Sequence, residues 1–127
     1  MLALEGVRVL DLTRYLPGGF ATLWLADLGA DVIKIESPGV GDLGRWLGDP
    51  QRSGLGPYFA ALNRGKRSLC LDLKAAADVA SFLKLVATAD VLLESFRPGV
   101  MARLGLDYDK LCAVNPRLIY CAISGYG

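Results

Sequence analysis

The sequence contains no histidine among its 127 residues. Without an imidazole there is no Ser-His-Asp triad, no histidine zinc ligand and no imidazole general base. Catalysis encoded here would have to run on carboxylates, lysines, hydroxyls or a thiol. Charge of one sign is also lacking: 14 Lys and Arg face 13 Asp and Glu, a net charge of +1. That balance argues against a broad basic face for nucleic acid, while leaving room for a local anion site. Cysteine is scarce, with only Cys70, Cys112 and Cys121, and no C-x-x-C spacing. An odd count without a secretory leader is read as reduced thiols in a cytoplasmic protein. Each cysteine has apolar neighbours in sequence and is expected to be buried as a small hydrophobe. The longest apolar stretch, around Phe20 to Ala26, is far short of the roughly 20 residues that span a bilayer. No metal site and no membrane span are expected.

What is present is a chain that is 53% hydrophobic and 21% charged. Such a composition suits a single compact domain, and a chain of this size can bury roughly two-thirds of its unfolded surface. Val7 to Leu12 is a β-branched and aliphatic run that predicts a buried strand. A turn from Thr13 to Gly19 follows, then a helix over about Gly18 to Leu28 stopped by Gly29. Asp31 to Glu36 is the second strand, which completes a βαβ unit. Ser37 to Pro57 holds six glycines and three prolines and reads as a long functional connection. Ser68 to Leu73 predicts a third strand and Lys74 to Thr88 an amphipathic helix, with Val79, Phe82, Leu83 and Val86 at helical spacing. Asp90 to Glu94 is a fourth strand. Short helical pieces over Val100 to Leu104 and Asp107 to Val114 lead to a fifth strand, Arg117 to Ile123. Strands alternating with helices imply an α/β fold: a Rossmann-like, mainly parallel, doubly wound sheet. The chain then ends at Ser124 to Gly127, inside what reads as another turn, and is expected to be cut off there.

Gly39-Val40-Gly41-Asp42-Leu43-Gly44 spells G-x-G-x-x-G. The dinucleotide fingerprint requires that spelling at the first strand-to-helix turn, with an acidic residue about 20 positions on. Here it follows the second strand and leads to Arg64, so it is read as a flexible loop. Asn63 to Ser68 places Arg64, Lys66 and Arg67 within four residues, either a solvated turn or an anion grip. Further cations stand at strand exits: Lys74, Arg97 and Arg103. Ligands of open α/β sheets bind beyond the carboxyl ends of the strands. With the third and fourth strands adjacent, Lys74, Ser95, Phe96 and Arg103 would line one crevice, Phe96 offering a flat face to a base. A phosphorylated nucleotide fits that focal charge better than a nucleic acid does. No pair of carboxylates stands at a catalytic separation, and none is assigned as acid or nucleophile.

The sequence resembles the family III CoA-transferases, the group that includes carnitine CoA-transferase, formyl-CoA transferase and α-methylacyl-CoA racemase. The resemblance rests on Val9-Leu10-Asp11-Leu12-Thr13, on Leu25 through Glu36, and on Asn63 through Leu69 with Leu71-Asp72-Leu73-Lys74. It continues through Ala89-Asp90-Val91-Leu92, Phe96-Arg97-Pro98-Gly99-Val100, Arg103-Leu104-Gly105, Asn115 through Tyr120, and Ile123 through Gly127. It covers essentially the whole chain, in the family's order. The resemblance implies an acyl-CoA enzyme with a Rossmann-like large domain, of which residues 1–127 are the N-terminal part, a smaller second domain and an interlocked homodimer. In the transferases an aspartate attacks the thioester to give an acyl-enzyme anhydride. In the racemase an aspartate and a histidine exchange the α-proton. Coenzyme A or acyl-CoA is implied as substrate, a carboxylic acid as acceptor, with no permanently bound cofactor. By resemblance CoA would contact Tyr15, Leu16, Pro17, Leu71, Asp72, Leu73, Lys74, Ser95, Phe96 and Arg103.

The departures are specific. Members of the family are several times longer, and their catalytic aspartate and the racemase histidine lie downstream of the segment matching Ser124 to Gly127. Ser37 stands where many members have an arginine that touches the CoA phosphates, and Ser95 where the formyl transferases have asparagine. Tyr15-Leu16-Pro17-Gly18-Gly19 differs from the transferase-like glutamine-alanine-glycine turn and leans towards the racemases. The expectation is a CoA-binding part that neither transfers CoA nor racemises alone. The alternatives are a binding or interaction fragment without catalysis and, much less favoured, an NAD-dependent Rossmann enzyme.

Overall fold

In the computed structural model, which describes residues 1–49 and 51–127, the hub is strand β1 (Arg8–Leu12). Val9, Leu10, Asp11 and Leu12 are all buried, as a strand covered on both faces must be. β2 (Asp31–Glu36) and β4 (Val91–Glu94) flank it in parallel, with Leu10 opposite both Ile33 and Leu92. β3 (Arg67–Cys70) and β5 (Ile119–Ala122) form the edges, so the five-stranded parallel sheet runs β3-β2-β1-β4-β5. The direction of winding therefore reverses between β1 and β4.

Side-chain alternation sends β1 to two different layers. Leu10 and Leu12, with Ile33, Ile35 and Leu92, pack on Phe82 and Val86 of α3 (Ala76–Val86), Met101 of α4 (Val100–Arg103) and Leu111 of α5 (Tyr108–Val114). Val9, with Val32 and Leu93, packs instead on Ala21, Leu25 and Ala26 of α1 (Tyr15–Asp27). The same side carries a 3-10 turn (Leu43–Trp46) and α2 (Pro57–Asn63), neither of which was read from the sequence. The long connection is thus packed rather than loose; its Pro50 lies outside the described residues. Among the described residues no helix is long and apolar enough to cross a membrane.

The three-layer α/β fold agrees with the sequence reading, and several details correct it. α1 begins at Tyr15, three residues before the predicted start, so Tyr15, Leu16 and Pro17 are its first turn. Proline is tolerated there because the first N–H groups of a helix have no intrahelical acceptor. A Cβ on Gly18 would collide with the Thr13 side chain, which explains how the helix begins so close to β1. Gly29, at φ +103, ends α1 as expected: its N–H donates to the Ala26 carbonyl and that of Ala30 to Leu25. β3 stops at Cys70, and α3 starts at Ala76 because Asp72 to Ala75 form a turn. In that turn the Ala75 N–H donates to the Asp72 carbonyl and the Lys74 N–H to Asp72 Oδ1.

The cysteines are a clear correction. Cys70 and Cys121 are exposed and Cys112 is half-buried. Cys70 and Cys121 lie on the two edge strands of the sheet, where apolar neighbours in sequence no longer imply cover on both faces, and Cys112 lies on α5. β3 and β4 are not adjacent either, since β2 and β1 lie between them.

Candidate functional site

Beyond the carboxyl ends of the strands lies a cleft of about 230 Å³. Its floor is Leu12 at the end of β1 and Ile35 at the end of β2. Glu36, Ser37 and the segment Leu71-Asp72-Leu73-Lys74 line it after β2 and β3, and Phe96, Val100 and Leu104 after β4. Arg14, directly after β1, completes it. The cleft sits where the strand order reverses, the place where ligands bind in open α/β sheets.

Arg14 bridges the cleft. Its backbone N–H donates to Ser95 Oγ at 2.9 Å, and its Nη2 donates to Ser37 Oγ at 2.9 Å. Its guanidinium carbon lies 5.3 Å from the centre of the Phe96 ring, a cation–π distance. Phe96 is itself fixed, because its N–H donates to Oε2 of buried Glu94, whose Oε1 accepts the Tyr120 hydroxyl. Burial first, and then the Glu94 charge, push the Tyr120 phenol well above its ordinary range.

Five of the ten residues expected at the site line this cleft: Leu71, Asp72, Leu73, Lys74 and Phe96. They converge although β3 and β4 are not neighbours, because the segment after β3 and the β4–α4 connection both reach over the ends of the central strands. Ser95 does not line the cleft but holds the Arg14 backbone. Arg103 projects from α4 beside Gly99, whereas Val100 and Leu104 of the same helix face the cleft. Tyr15, Leu16 and Pro17 are exposed on the first turn of α1, outside the cleft wall. Arg14, Val100 and Leu104 lie outside the sequence expectation, and Ser37 entered it only as the place of a missing phosphate arginine. Arg14 carried the same signal that pointed to Lys74, a cation at a strand exit.

The cluster Arg64, Lys66 and Arg67 divides: Arg64 and Arg67 are exposed, as the solvated-turn reading expects, while Lys66 turns inward. Arg64 pairs with Asp27 at 2.6 Å and Arg67 with Asp31 at 2.6 Å. The Lys66 side chain is 2% exposed; its Nζ lies 3.1 Å from Asp11 and also donates to Asn63 Oδ1, Thr22 Oγ1 and the Gly19 carbonyl. Burial pulls the Lys66 ammonium below its usual range, against the attraction of Asp11. Asp11 in turn accepts from the Thr13 N–H and hydroxyl.

Two further buried pairs continue this layer. Lys34 Nζ contacts Asp42 Oδ2 at 2.9 Å and donates to the Thr13 carbonyl at 2.8 Å. Glu36 binds Arg45 through both oxygens and also accepts from the Asp42 N–H and the Ser68 hydroxyl. Burial opposes ionisation of Glu36, yet the Arg45, Asp42 and Ser68 hydrogen bonds outweigh it and hold the carboxyl down at about 2. The G-x-G-x-x-G spelling is therefore an ordered turn, not a flexible loop. Asp42 caps the 3-10 turn through the Gly44 N–H, and Gly41, at φ +63, passes so close that a Cβ would lie 2.5 Å from Glu36 Oε2. Asp11, Lys34 and Asp42 together clamp Thr13 and the start of α1, where Tyr15 holds the strained φ of +59.

A doubly wound parallel sheet with a cationic, aromatic cleft at its winding reversal belongs to the open α/β folds, whose ligands bind at that place. Comparison with known proteins narrows the class. The sequence profile of CoA-transferase family III matches residues 4–127, and the chain belongs to that family. An acetyl-CoA:oxalate CoA-transferase from Acetobacter aceti is 53% identical over 123 residues, which are 97% of this chain and 31% of that protein. A succinyl-CoA:glutarate CoA-transferase from Mus musculus is 46% identical over 127 residues, 100% of this chain and 29% of that one. A crystal structure of a CAIB/BAIF family protein from Brucella suis superposes with a TM-score of 0.92 at 45% identity, covering 99% of this chain and 34% of the other. The crystal structure of Rv3272 from Mycobacterium tuberculosis gives 0.91 at 45% identity, covering 100% and 35%. The chain thus spans about a third of the length of the relatives it matches.

Proposed function

We propose that residues 1–127, the N-terminal part of a family III large domain, hold the CoA moiety of an acyl-CoA for an enzyme that moves CoA between carboxylic acids. The observation that carries this reading is the cleft itself. It joins Leu71 to Lys74, Phe96 and Arg14 at the winding reversal, with two cations that take part in no ion pair among the described residues. Within that reading Leu71, Asp72, Leu73, Lys74 and Phe96 contact CoA directly, while Ser95 acts through the backbone of Arg14. Tyr15, Leu16, Pro17 and Arg103 are rim contacts, reached by the parts of the ligand that extend from the cleft. The activities that name the relatives favour CoA transfer over racemisation.

The chain alone binds CoA without turning it over. The resemblance puts the family's catalytic aspartate downstream of Gly127; of the two carboxylates on the cleft wall, Glu36 is bound by Arg45 through both oxygens and Asp72 accepts the Lys74 N–H through Oδ1. The working enzyme is a homodimer. The exposed stripe Leu16, Phe20 and Trp24 along α1 supports burial against further protein. Exposed unpaired thiols at Cys70 and Cys121 suit a reducing, cytoplasmic setting.

The test is calorimetric titration of the chain with CoA, alongside an assay for acyl-CoA turnover. Micromolar binding that weakens with salt, and no turnover, is the expected result. Absence of CoA binding at millimolar ligand would overturn the reading.

A further inference from the structure

We propose that Arg14 is a phosphate anchor of the cleft, its guanidinium gripping a phosphate of the bound CoA from the side opposite Lys74. The inference rests on the CoA reading above and adds to it a residue that neither the sequence reading nor the family resemblance assigns.

Three observations carry it. First, Arg14 has charge to give. The six ion pairs among the described residues take up Arg8, Lys34, Arg45, Arg64, Lys66 and Arg67. The Arg14 side chain makes one hydrogen bond there, through Nη2 to the neutral hydroxyl of Ser37. A guanidinium has five N–H donors in a rigid fork, so most of its capacity remains for a phosphate, which it grips in bidentate fashion. Second, Arg14 is already placed. The Ser95 hydroxyl holds its backbone, and the guanidinium lies over the Phe96 ring. Holding an otherwise flexible cation in position lowers the ordering cost of binding. Third, the charge on the cleft wall is net positive even with the Asp72 carboxylate offset against one of its cations. Arg45 neutralises the Glu36 carboxylate, and Arg14 and Lys74 stand on walls fed by different strands. A ligand that lies between them meets a cation on each side, with the Phe96 ring backing Arg14.

The test compares the wild-type chain with Arg14→Ala, Arg14→Lys and Ser37→Ala, titrated with CoA, adenosine 3′,5′-bisphosphate and phosphate-free pantetheine. Circular dichroism checks that each variant folds; the Ser95 contact uses the backbone of Arg14 and survives every substitution. Arg14→Ala is expected to weaken CoA and the bisphosphate at least tenfold at low salt, with the deficit shrinking as salt rises. Pantetheine should bind the wild type and the variant equally. Arg14→Lys restores part of the loss, because an ammonium supplies charge without the fork. Ser37→Ala costs less, since it frees the guanidinium rather than removing it. Arg14→Ala binding CoA as tightly as the wild type would overturn the anchor. So would an equal loss for pantetheine, which would make Arg14 a packing residue. If the wild type fails to bind CoA, the reading of the cleft fails and takes the anchor with it, an outcome distinct from either of those.

Discussion

On one face of the sheet Leu10, Ile33 and Leu92 meet Phe82, Val86 and Leu111, an unbroken hydrocarbon cluster. On the other face a smaller cluster of Val9, Val32 and Leu93 gives way to Asp11, Lys34, Glu36, Asp42 and Lys66, buried and joined by ion pairs. Burying an aliphatic or aromatic side chain stabilises by about 1.5–3 kcal/mol, whereas a buried ion pair roughly breaks even against its desolvation. The apolar face therefore supplies most of the stability. The ionic face supplies position: through Asp11 and Lys34 it fixes Thr13, the residue before Arg14.

The largest effect that bears on this contrast is Phe82→Ala. It empties a fully buried site and should cost about 3–5 kcal/mol in urea unfolding. A loss below 1 kcal/mol would mean that the hydrocarbon layer is not the main source of stability. Next is Lys66→Met, which leaves Asp11 charged, buried and without its cation, and should cost about 3 kcal/mol. Adding Asp11→Asn to that variant should recover most of the loss. A double variant as unstable as the single one would show that the ionic layer stabilises outright.

The acid limb sharpens the contrast further. Glu36 is held at about 2 against an ordinary value of 4.5, so its contribution is complete above pH 4.5 and is lost as pH falls towards 2. The shift corresponds to about 3 kcal/mol at full protonation, and less over the range in which unfolding can be followed. Glu36→Gln should flatten the stability profile between pH 4.5 and 2; an unchanged acid limb would remove Glu36 from its cause. The smallest effect is at the edges. Cys70→Ser and Cys121→Ser should each shift stability by less than about 0.5 kcal/mol, and both thiols should react with a maleimide faster than Cys112.

The fold was legible because its signals are local. Aliphatic runs at β1, β2 and β4, the glycine stop at Gly29 and the helical spacing of Phe82 and Val86 need no partner to be recognised. Strand order is a different kind of information: nothing between Ser68 and Glu94 states that β1 and β2 come between β3 and β4. Edge position followed from that order, so the exposure of Cys70 and Cys121 was illegible for the same reason. The cation cluster was legible as a solvated turn at Arg64 and Arg67, but not the burial of Lys66, because the partners of the three cations lie 36 to 55 residues away, at Asp27, Asp11 and Asp31. The site was legible where it is a short contiguous segment, Leu71 to Lys74, or an aromatic at a strand exit, Phe96. Arg14 escaped because its importance lies in contacts to Ser37, Ser95 and Phe96, which only the assembled sheet brings within reach.

The central place of β1 also has a consequence for how the chain assembles. Its partner on one side, β2, follows after a single helix, but its partner on the other, β4, is some 82 residues further along, as the Arg8 N–H to Asp90 Oδ2 bond measures. During synthesis β1, β2 and β3 emerge first, and the open flank of β1 waits for Val91 to Glu94 to close it. Contacts of such long sequence separation slow folding, and an unpaired parallel strand is exposed to wrong partners in the interval. β1 thus emerges before β2 and β3 yet is completed only after both have emerged.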